Sequence, residues 1–359
     1  MSIPAKRKIA TVGGDGHIRL IEQPIPELQD GTVLVQVYAS LVSPGSELRG
    51  GWRGLSQMRS KPNPEIKSRP FGYANAGVVR QVGKGVDRFN VGDRVCCMGG
   101  GYACHTDYAV APHHLCVLLP KAVTFAQGAY GHLAATAMHA LRRNSPQFGE
   151  YVAIVGLGLV GQLAAQFHKL SGCYVIGWDM INTRLEIAQR SGLDALVNTA
   201  VQDAPEATGL FTSGYGLDSA VMAFGGDGTD AFNTLQSCMK QAPDGPRNGR
   251  IVVVGKTTFN YNAATFNIDI RRSARTGPGY HDPQWEYGPD YPSVYMRWTT
   301  RTNLELCMRL ISEGKLNVDA LTTHTISLEN VDQEISQILD EPDSILGVVF
   351  QCQRGDKTV

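Results

Sequence analysis

Tyr151–Asp179, reading YVAIVGLGLVGQLAAQFHKLSGCYVIGWD, decides the fold of this chain. A β-branched apolar run, Val152–Val155, enters a glycine turn, Gly156-Leu157-Gly158-Leu159-Val160-Gly161. A helical segment follows, with Leu163, Ala164, Phe167 and Leu170 on one face and Gly172 placed to stop it. A second apolar strand, Tyr174–Trp178, then ends on Asp179. Strand, turn, helix and strand within about 30 residues is the context that a dinucleotide fingerprint needs. Its first glycine permits the tight turn, its second lets backbone approach a pyrophosphate, and its third lets helix and strand pack closely. The helix N-terminus offers unpaired N–H groups to the phosphates. Asp179 lies close to the offset of about 20 residues at which a carboxylate accepts the ribose hydroxyls of NAD. Gly156, Gly158, Leu159, Val160, Gly161, Asp179 and Arg184 are therefore expected cofactor contacts, with Gly225 and Gly255 after the later strands.

Working outward, the 359 residues suffice for two domains with separate cores. Lysine plus arginine equals aspartate plus glutamate at 33 each, so no global field favours nucleic acid or an anionic membrane. The N-terminal MSIPAKRKIA has no apolar signal core, and no apolar run reaches spanning length. Eight scattered cysteines suit reduced thiols better than a disulfide framework, so the expected location is cytoplasmic.

Residues 1–125 read as β-rich. Thr32–Ala39 alternates, and Gly77–Gln81 and Tyr108–Val110 look like further short strands. Gly50–Arg69, polar and rich in Gly and Pro, reads as a loop. Gly128–Arg143 looks helical, and from Tyr151 the chain alternates strand and helix, with Thr183-Arg184-Leu185-Glu186 as a capping box. Ser219–Phe224 and Ile251–Val254 continue the alternation, which implies an α/β, doubly wound parallel sheet. Arg275–Trp298 is crowded with Gly, Pro and aromatics, a composition more often functional than linking. Thr302–Glu313 reads as a helix and Gly347–Gln351 as a closing strand.

A β-rich start, a dinucleotide fold in the second half, Gly92-Asp93-Arg94-Val95, and the ending Gly314-Lys315-Leu316, Thr323-His324 and Leu328-Glu329-Asn330-Val331 resemble the medium-chain dehydrogenase/reductase superfamily. The resemblance spans essentially the whole chain. It implies a discontinuous, GroES-like catalytic domain (1–125 with 299–359), a Rossmann domain (126–298) inserted in it, an active site in the cleft between them, and a homo-oligomer, dimer or tetramer. The departures lie at the family's zinc positions. Pro44-Gly45-Ser46-Glu47 stands where the Cys-Gly-Ser/Thr-Asp motif is expected, and Gly72-Tyr73-Ala74 replaces Gly-His-Glu. Near the structural-zinc lobe stand only Cys96, Cys97 and Cys104, without CxxC spacing. A tetrahedral site needs Cys, His or carboxylate at defined spacing, so no metal is expected. Ser43-Pro44-Gly45-Ser46-Glu47 and Gly277–Pro283 resemble the bacteriochlorophyllide dehydrogenase-like group and bidomain oxidoreductases, several of which act on sugars.

Hydride transfer to NAD asks the protein for orientation, a proton acceptor and exclusion of water. Ser46 matches the position that relays the substrate proton, though a turn-capping serine reads the same. Glu47 beside it serves as a catalytic carboxylate or as an ion-pair partner. Tyr73 occupies a lost ligand position, and its phenol needs a lowered pKa to act as a base. His132 matches a position where some zinc polyol dehydrogenases place a glutamate. A helix N-terminus there keeps its ring neutral, and it is either the base or a core histidine. His105, Trp52, Arg53, Tyr280, His281, Trp285 and Tyr287 are candidate substrate contacts, with loop packing the alternative for each. His113 and His114 read as surface residues.

The resulting expectation is a zinc-independent, NAD-dependent dehydrogenase acting on a secondary alcohol of a sugar, cyclitol or glycoside. The alternatives are an NADPH-dependent quinone or enone reductase and a non-catalytic nucleotide-binding protein. Asp179 speaks against the first, and the Ser46, Tyr73 and His132 set against the second.

Overall fold

The computed structural model describes residues 3–261 and 266–353. The chain divides into two compact units, Met1–Ala135 with Thr276–Val359, and Thr136–Arg275. These boundaries differ from those read in the sequence at 125 and 298. The aromatic segment 276–298 packs with the first unit because Trp285 stacks on His114 at 4.7 Å.

In the second unit, Tyr151–Val155 is the first of six parallel strands. The others are Tyr174–Asp179, Ala195–Asn198, Ser219–Met222, Arg247–Val254 and Phe266–Ser273. Numbered along this unit, their spatial order is 3-2-1-4-5-6, the Rossmann order. The direction of winding reverses between strands 1 and 4, so the crevice lies at their carboxyl ends, Val155 and Met222. Ala153, Val155, Ile176, Trp178, Val253, Phe232 and Leu235 are buried in one core cluster. Helix Leu159–Leu170 buries Leu163, Ala164 and Phe167 as its spacing requires, whereas Leu170 is 46% exposed. The expected capping box at Thr183–Glu186 does not form: the helix spans Asn182–Arg190 with Ile181 at its N-cap and no side-chain cap. Instead the Asp179 carboxylate accepts from the Ile181 N–H.

In the first unit, the closing strand Gly347–Gln351 lies between Thr322–Ser327 and Thr32–Leu41. The C-terminal segment thus completes a sheet begun near the N-terminus, continued by Ala74–Val82, Arg94–Met98 and Cys116–Leu118. Thr32–Leu41 is buried along nearly all its length. Its Gln36 accepts the Arg80 guanidinium at 2.6 and 2.8 Å, which removes the cost of burying the amide oxygen. Gly51–Ser60, expected to be a loop, is a helix. Trp52 and Leu55 form its buried side with Met58 packed alongside, and Gly54 is required because a Cβ there would stand 2.3 Å from the Arg49 carbonyl. The glycines that suggested a loop serve close packing. Thr299 and Thr302 cap the helix Thr300–Ser312 reciprocally. No helix among the described residues is long and apolar enough to cross a membrane.

Candidate active site

The glycine turn closes the first strand of the nucleotide unit. Gly156 has φ +87°, where a side chain is strained, and a Cβ would stand 3.1 Å from the Ala223 carbonyl. At Gly161 a Cβ would stand 1.8 Å from the Gly156 carbonyl, so only glycine lets the helix begin there. Gly158 is the N-cap, with open space around it, and supplies no side-chain cap to the N–H groups of a 12-residue helix. Leu159 and Val160 open that helix. Asp179, 8% exposed, accepts from the Leu157 N–H at 2.7 Å and the Ile181 N–H at 2.9 Å. It ties the end of the second strand to the glycine turn, and Arg184 places a guanidinium 3.6 Å from it. Gln162, not anticipated from the sequence, donates to the carbonyls of Leu157 and Arg184. Gln162 and Gln166, buried a turn apart on this helix, were the signal for it. Gly225 follows the fourth strand with open space around it, and Gly255 follows the fifth with φ +81°. Arg272, also unanticipated, donates to the Gly255 carbonyl at 2.7 Å.

The first unit gathers a row of rings. Tyr73 and His132 lie 4.3 Å apart, His132 meets Tyr280 edge-on at 5.7 Å, and His281 stacks on Tyr280 at 3.9 Å. The Tyr280 hydroxyl is anchored by the Gly100 N–H at 2.8 Å. His281 is exposed at φ +69°, a conformation that non-glycine residues adopt rarely. His132 Nδ1 lies 3.0 Å from the Tyr73 carbonyl. A carbonyl only accepts, so Nδ1 carries the proton and Nε2 the lone pair of the neutral ring. Burial pushes the His132 pKa down to about 4, and a charge on His281 acts in the same direction. The ring is neutral as expected, with burial rather than the helix dipole as the first cause.

Burial first and the Glu47 charge next raise the Tyr73 pKa, outweighing the Ser43 and Ser46 side chains that lower it, so it is not the base that a lowered pKa would have made it. Ser46 is exposed in the short helix Pro44–Glu47. Glu47 is buried: its Oε2 accepts from the Ser43 N–H at 3.2 Å and lies 3.0 Å from His105 Nε2. His105, expected at the substrate, is fully buried, with Nδ1 2.8 Å from Ser40 Oγ.

Three further expectations are corrected. Trp52 belongs to the core of its helix. Arg53 is spent in an exposed ion pair with Asp343. Trp285, 1% exposed, is sandwiched by His114 and Tyr291 and donates to Asp290. His113 and His114 are buried too, each with Nε2 on the Gly288 carbonyl, because the 283–291 turn covers them. Tyr287 donates to the Tyr102 hydroxyl.

Residues 29–139 match the family described as the alcohol dehydrogenase GroES-like domain, and residues 160–281 that of the zinc-binding dehydrogenase. The chain belongs to the alcohol dehydrogenase-like medium-chain dehydrogenase/reductase family. It is similar to D-guloside 3-dehydrogenase of Escherichia coli, at 26% identity over 332 residues covering 89% of each chain. It is also similar to sorbitol dehydrogenase of Bacillus subtilis, at 26% identity over 289 residues covering 72% of this chain and 78% of that one. Among solved structures, galactitol-1-phosphate dehydrogenase of Escherichia coli superposes with a TM-score of 0.75 at 20% identity, covering 96% of this chain and 99% of the other. This medium-chain dehydrogenase is thus an oxidoreductase with a fold suited to a nicotinamide cofactor. The glycine cradle, the uncapped helix N-terminus and Asp179 fit such a cofactor.

The zinc of the family name does not fit these residues. Among the described residues, no three His, Cys, Asp or Glu side chains are grouped to hold a metal ion. His132 packs against the rings of Tyr73 and Tyr280, and the Glu47 oxygen that faces His105 is committed to it.

Proposed function

We propose that this medium-chain dehydrogenase is a zinc-independent, NAD-dependent enzyme that oxidises a secondary alcohol of a sugar, cyclitol or glycoside, or reduces the ketone. The observation that carries the reading is the ring row Tyr73–His132–Tyr280–His281. Aromatic faces give a polyhydroxylated ring apolar contact, and the polar atoms of His132, Ser46 and Tyr73 fix which hydroxyl reacts. The similarity to guloside and sorbitol dehydrogenases supports the same substrate class.

When bound, NAD supplies the acceptor for the hydride. Gly156, Gly158 and Gly161 let the backbone approach its pyrophosphate, the N–H groups at Leu159 and Val160 face that charge, and Asp179 accepts the ribose hydroxyls. Gly225 and Gly255 leave room at the ends of neighbouring strands. Tyr280 and His281 bind the substrate ring. The lone pair of His132 Nε2 accepts a hydrogen bond from the reacting hydroxyl and orients it, and Ser46 carries the hydroxyl proton inward.

Absorbance of NADH, followed across a panel of polyols and glycosides with NAD and across enones with NADPH, tests the reading. Oxidation of a polyol by NAD is expected. His132→Ala lowers kcat about 100-fold, the lower end for a positioned acid or base, with Tm and NAD affinity retained. Turnover of enones with NADPH and none of polyols would overturn the assignment.

A further inference from the structure

The six-stranded sheet has two halves, strands 3-2-1 and strands 4-5-6, and in this fold each half holds one mononucleotide of the dinucleotide. The glycine turn and Asp179 lie in the first half, which receives the adenosine end. The second half is left for the nicotinamide mononucleotide. Ligands of such sheets lie beyond the carboxyl ends of the strands, so the relevant loops follow Met222 and Val254.

Those two loops are fastened to one another. Gly226-Asp227 pairs in parallel with Thr257-Thr258, and the Gly228 N–H donates to the Thr258 carbonyl at 2.7 Å. The buried Thr257 hydroxyl donates to the Phe224 carbonyl. A Cβ at Gly228 would stand 2.6 Å from the Thr257 methyl, so glycine is what allows this approach. Arg272, on the sixth strand, closes the arrangement from the side. Its guanidinium donates to the Gly255 carbonyl at 2.7 Å and to the Thr257 carbonyl at 3.3 Å. Arg143 Nε in turn donates to the Arg272 carbonyl at 3.1 Å. Arg272 is exposed, so these bonds rather than core packing give it a fixed place. Its neighbour Arg271 pairs with Asp269, whereas Arg272 spends its charge on two backbone carbonyls. A trans peptide sets its N–H opposite its C=O. Holding the Gly255 and Thr257 carbonyls therefore also fixes where the Lys256 and Thr258 N–H groups point. Gly255 itself, at φ +81°, has the backbone freedom that such an anchor removes.

We propose that Arg272 is a positioning residue for the nicotinamide half of the cofactor, holding the loop from Gly255 to Thr258 in the shape that receives it. This rests on the reading of the protein as an NAD-dependent dehydrogenase. Arg272 acts through Gly255 and Thr257. Lysine is an incomplete substitute, because an ammonium has no planar fork to span two carbonyls at once.

A tie that merely stabilised this unit would, once cut, weaken every part of the cofactor alike. ADP-ribose, which keeps the adenosine end and the pyrophosphate but lacks nicotinamide, separates the two roles. Calorimetric titration of the full chain with NADH and with ADP-ribose is run beside thermal melts, and the emission of bound NADH reports the surroundings of its ring. Arg272→Gln should weaken NADH about tenfold, roughly one hydrogen bond to a charged group, and leave ADP-ribose within about twofold. The emission of bound NADH should move towards that of the free cofactor, and Arg272→Lys should fall between Arg272→Gln and wild type. Thr257→Val cuts the tie to Phe224 and leaves Arg272 in place. It should show the same selective loss, which keeps the test open if Arg272→Gln does not fold. Equal losses for NADH and ADP-ribose, or no loss of either, would overturn the proposal. Wild-type protein that binds neither NADH nor ADP-ribose would instead overturn the NAD-dependent reading itself.

Discussion

Asp179 has two tasks whose demands differ. Its carboxylate fastens the glycine turn through the Leu157 N–H and the next helix through the Ile181 N–H, and the proposed cofactor ribose is a third partner. Two oxygens offer about four lone-pair sites, so the tasks are compatible. A 2′-phosphate would meet a fixed negative charge there, only partly offset by Arg184 at 3.6 Å. NAD is expected to bind at least tenfold more tightly than NADP, about 1.4 kcal/mol or more. Titrating both cofactors by protein fluorescence checks this, and equal affinities would mean that the carboxylate does not meet the ribose. Asp179→Ala should narrow the gap and lower Tm as well, since hydrogen bonds to a charged group contribute roughly 1.5–3 kcal/mol. The position of Asp179 was legible because strand length and motif spacing are local. The approach of Arg184 was not, since it depends on where the following helix starts. That start was misread: Thr183 and Glu186 have the spacing of a capping box, but the Asp179 carboxylate takes the Ile181 N–H and fixes the helix from Asn182.

Among the elements, the segment from Gly277 to Trp298 shows what composition reveals and what it hides. Its aromatics suggested a binding surface, and Tyr280 and His281 do join the row with His132. Trp285 has the same composition signal and a different position: the Asp282 side chain caps a short helix, Pro283–Tyr287, which turns the indole inward between His114 and Tyr291. The two residues should therefore respond differently to truncation. Tyr280→Ala should raise the substrate KM with NAD affinity within about threefold, under 1 kcal/mol. Trp285→Ala should lower stability by about 3–5 kcal/mol, the range for truncating a buried aromatic. Steady-state kinetics and thermal melts of the two variants check the contrast, and a Trp285→Ala protein with wild-type Tm would contradict the packing. The helix Gly51–Ser60 was hidden for the opposite reason. Three of its first four residues are glycine, tryptophan and glycine around Arg53, which reads as a turn unless one knows that Gly54 lies against the Arg49 carbonyl. Only tertiary contact reveals that requirement.

At the scale of the whole molecule, histidines and metal chemistry make separate demands. Burial lowers the pKa of His114, His132 and His168 to about 4. His168, in the nucleotide unit, donates from Nδ1 to the Ala164 carbonyl and takes Asn144 Nδ2 at Nε2, an arrangement that only a neutral ring satisfies. Free histidine titrates near 6.5, so between about 4 and 6.5 the unfolded chain binds protons that the fold refuses. Stability is therefore full above about pH 6.5 and falls as the pH drops towards 4, by on the order of 3 kcal/mol at the lower limit for each of the fully buried rings His132 and His168 and by less for His114. Melts across that interval should show Tm falling steadily, and a flat profile down to pH 4.5 would mean that the rings ionise in place.

The last expectation concerns metal. The family built on this fold carries zinc in many members, and the first question is whether this chain has ligands for one. Of the three motif positions, the Pro44 and Ala74 side chains bear no donor atom, and burial and the Glu47 charge keep the Tyr73 phenol protonated. Filling the site from neighbours would require Glu47 to leave His105 and His132 to turn from the Tyr73 carbonyl, exposing two buried polar groups at a cost of about 1–3 kcal/mol each. A divalent ion held by so few donors would exchange freely. Stoichiometric zinc is therefore not expected in the purified protein by elemental analysis, and chelators should leave turnover intact. Proton handling then falls to side chains, and activity should respond to Ser46 and His132 variants rather than to added metal. One zinc per chain whose removal abolishes turnover and whose return restores it would show that the site rearranges around an ion.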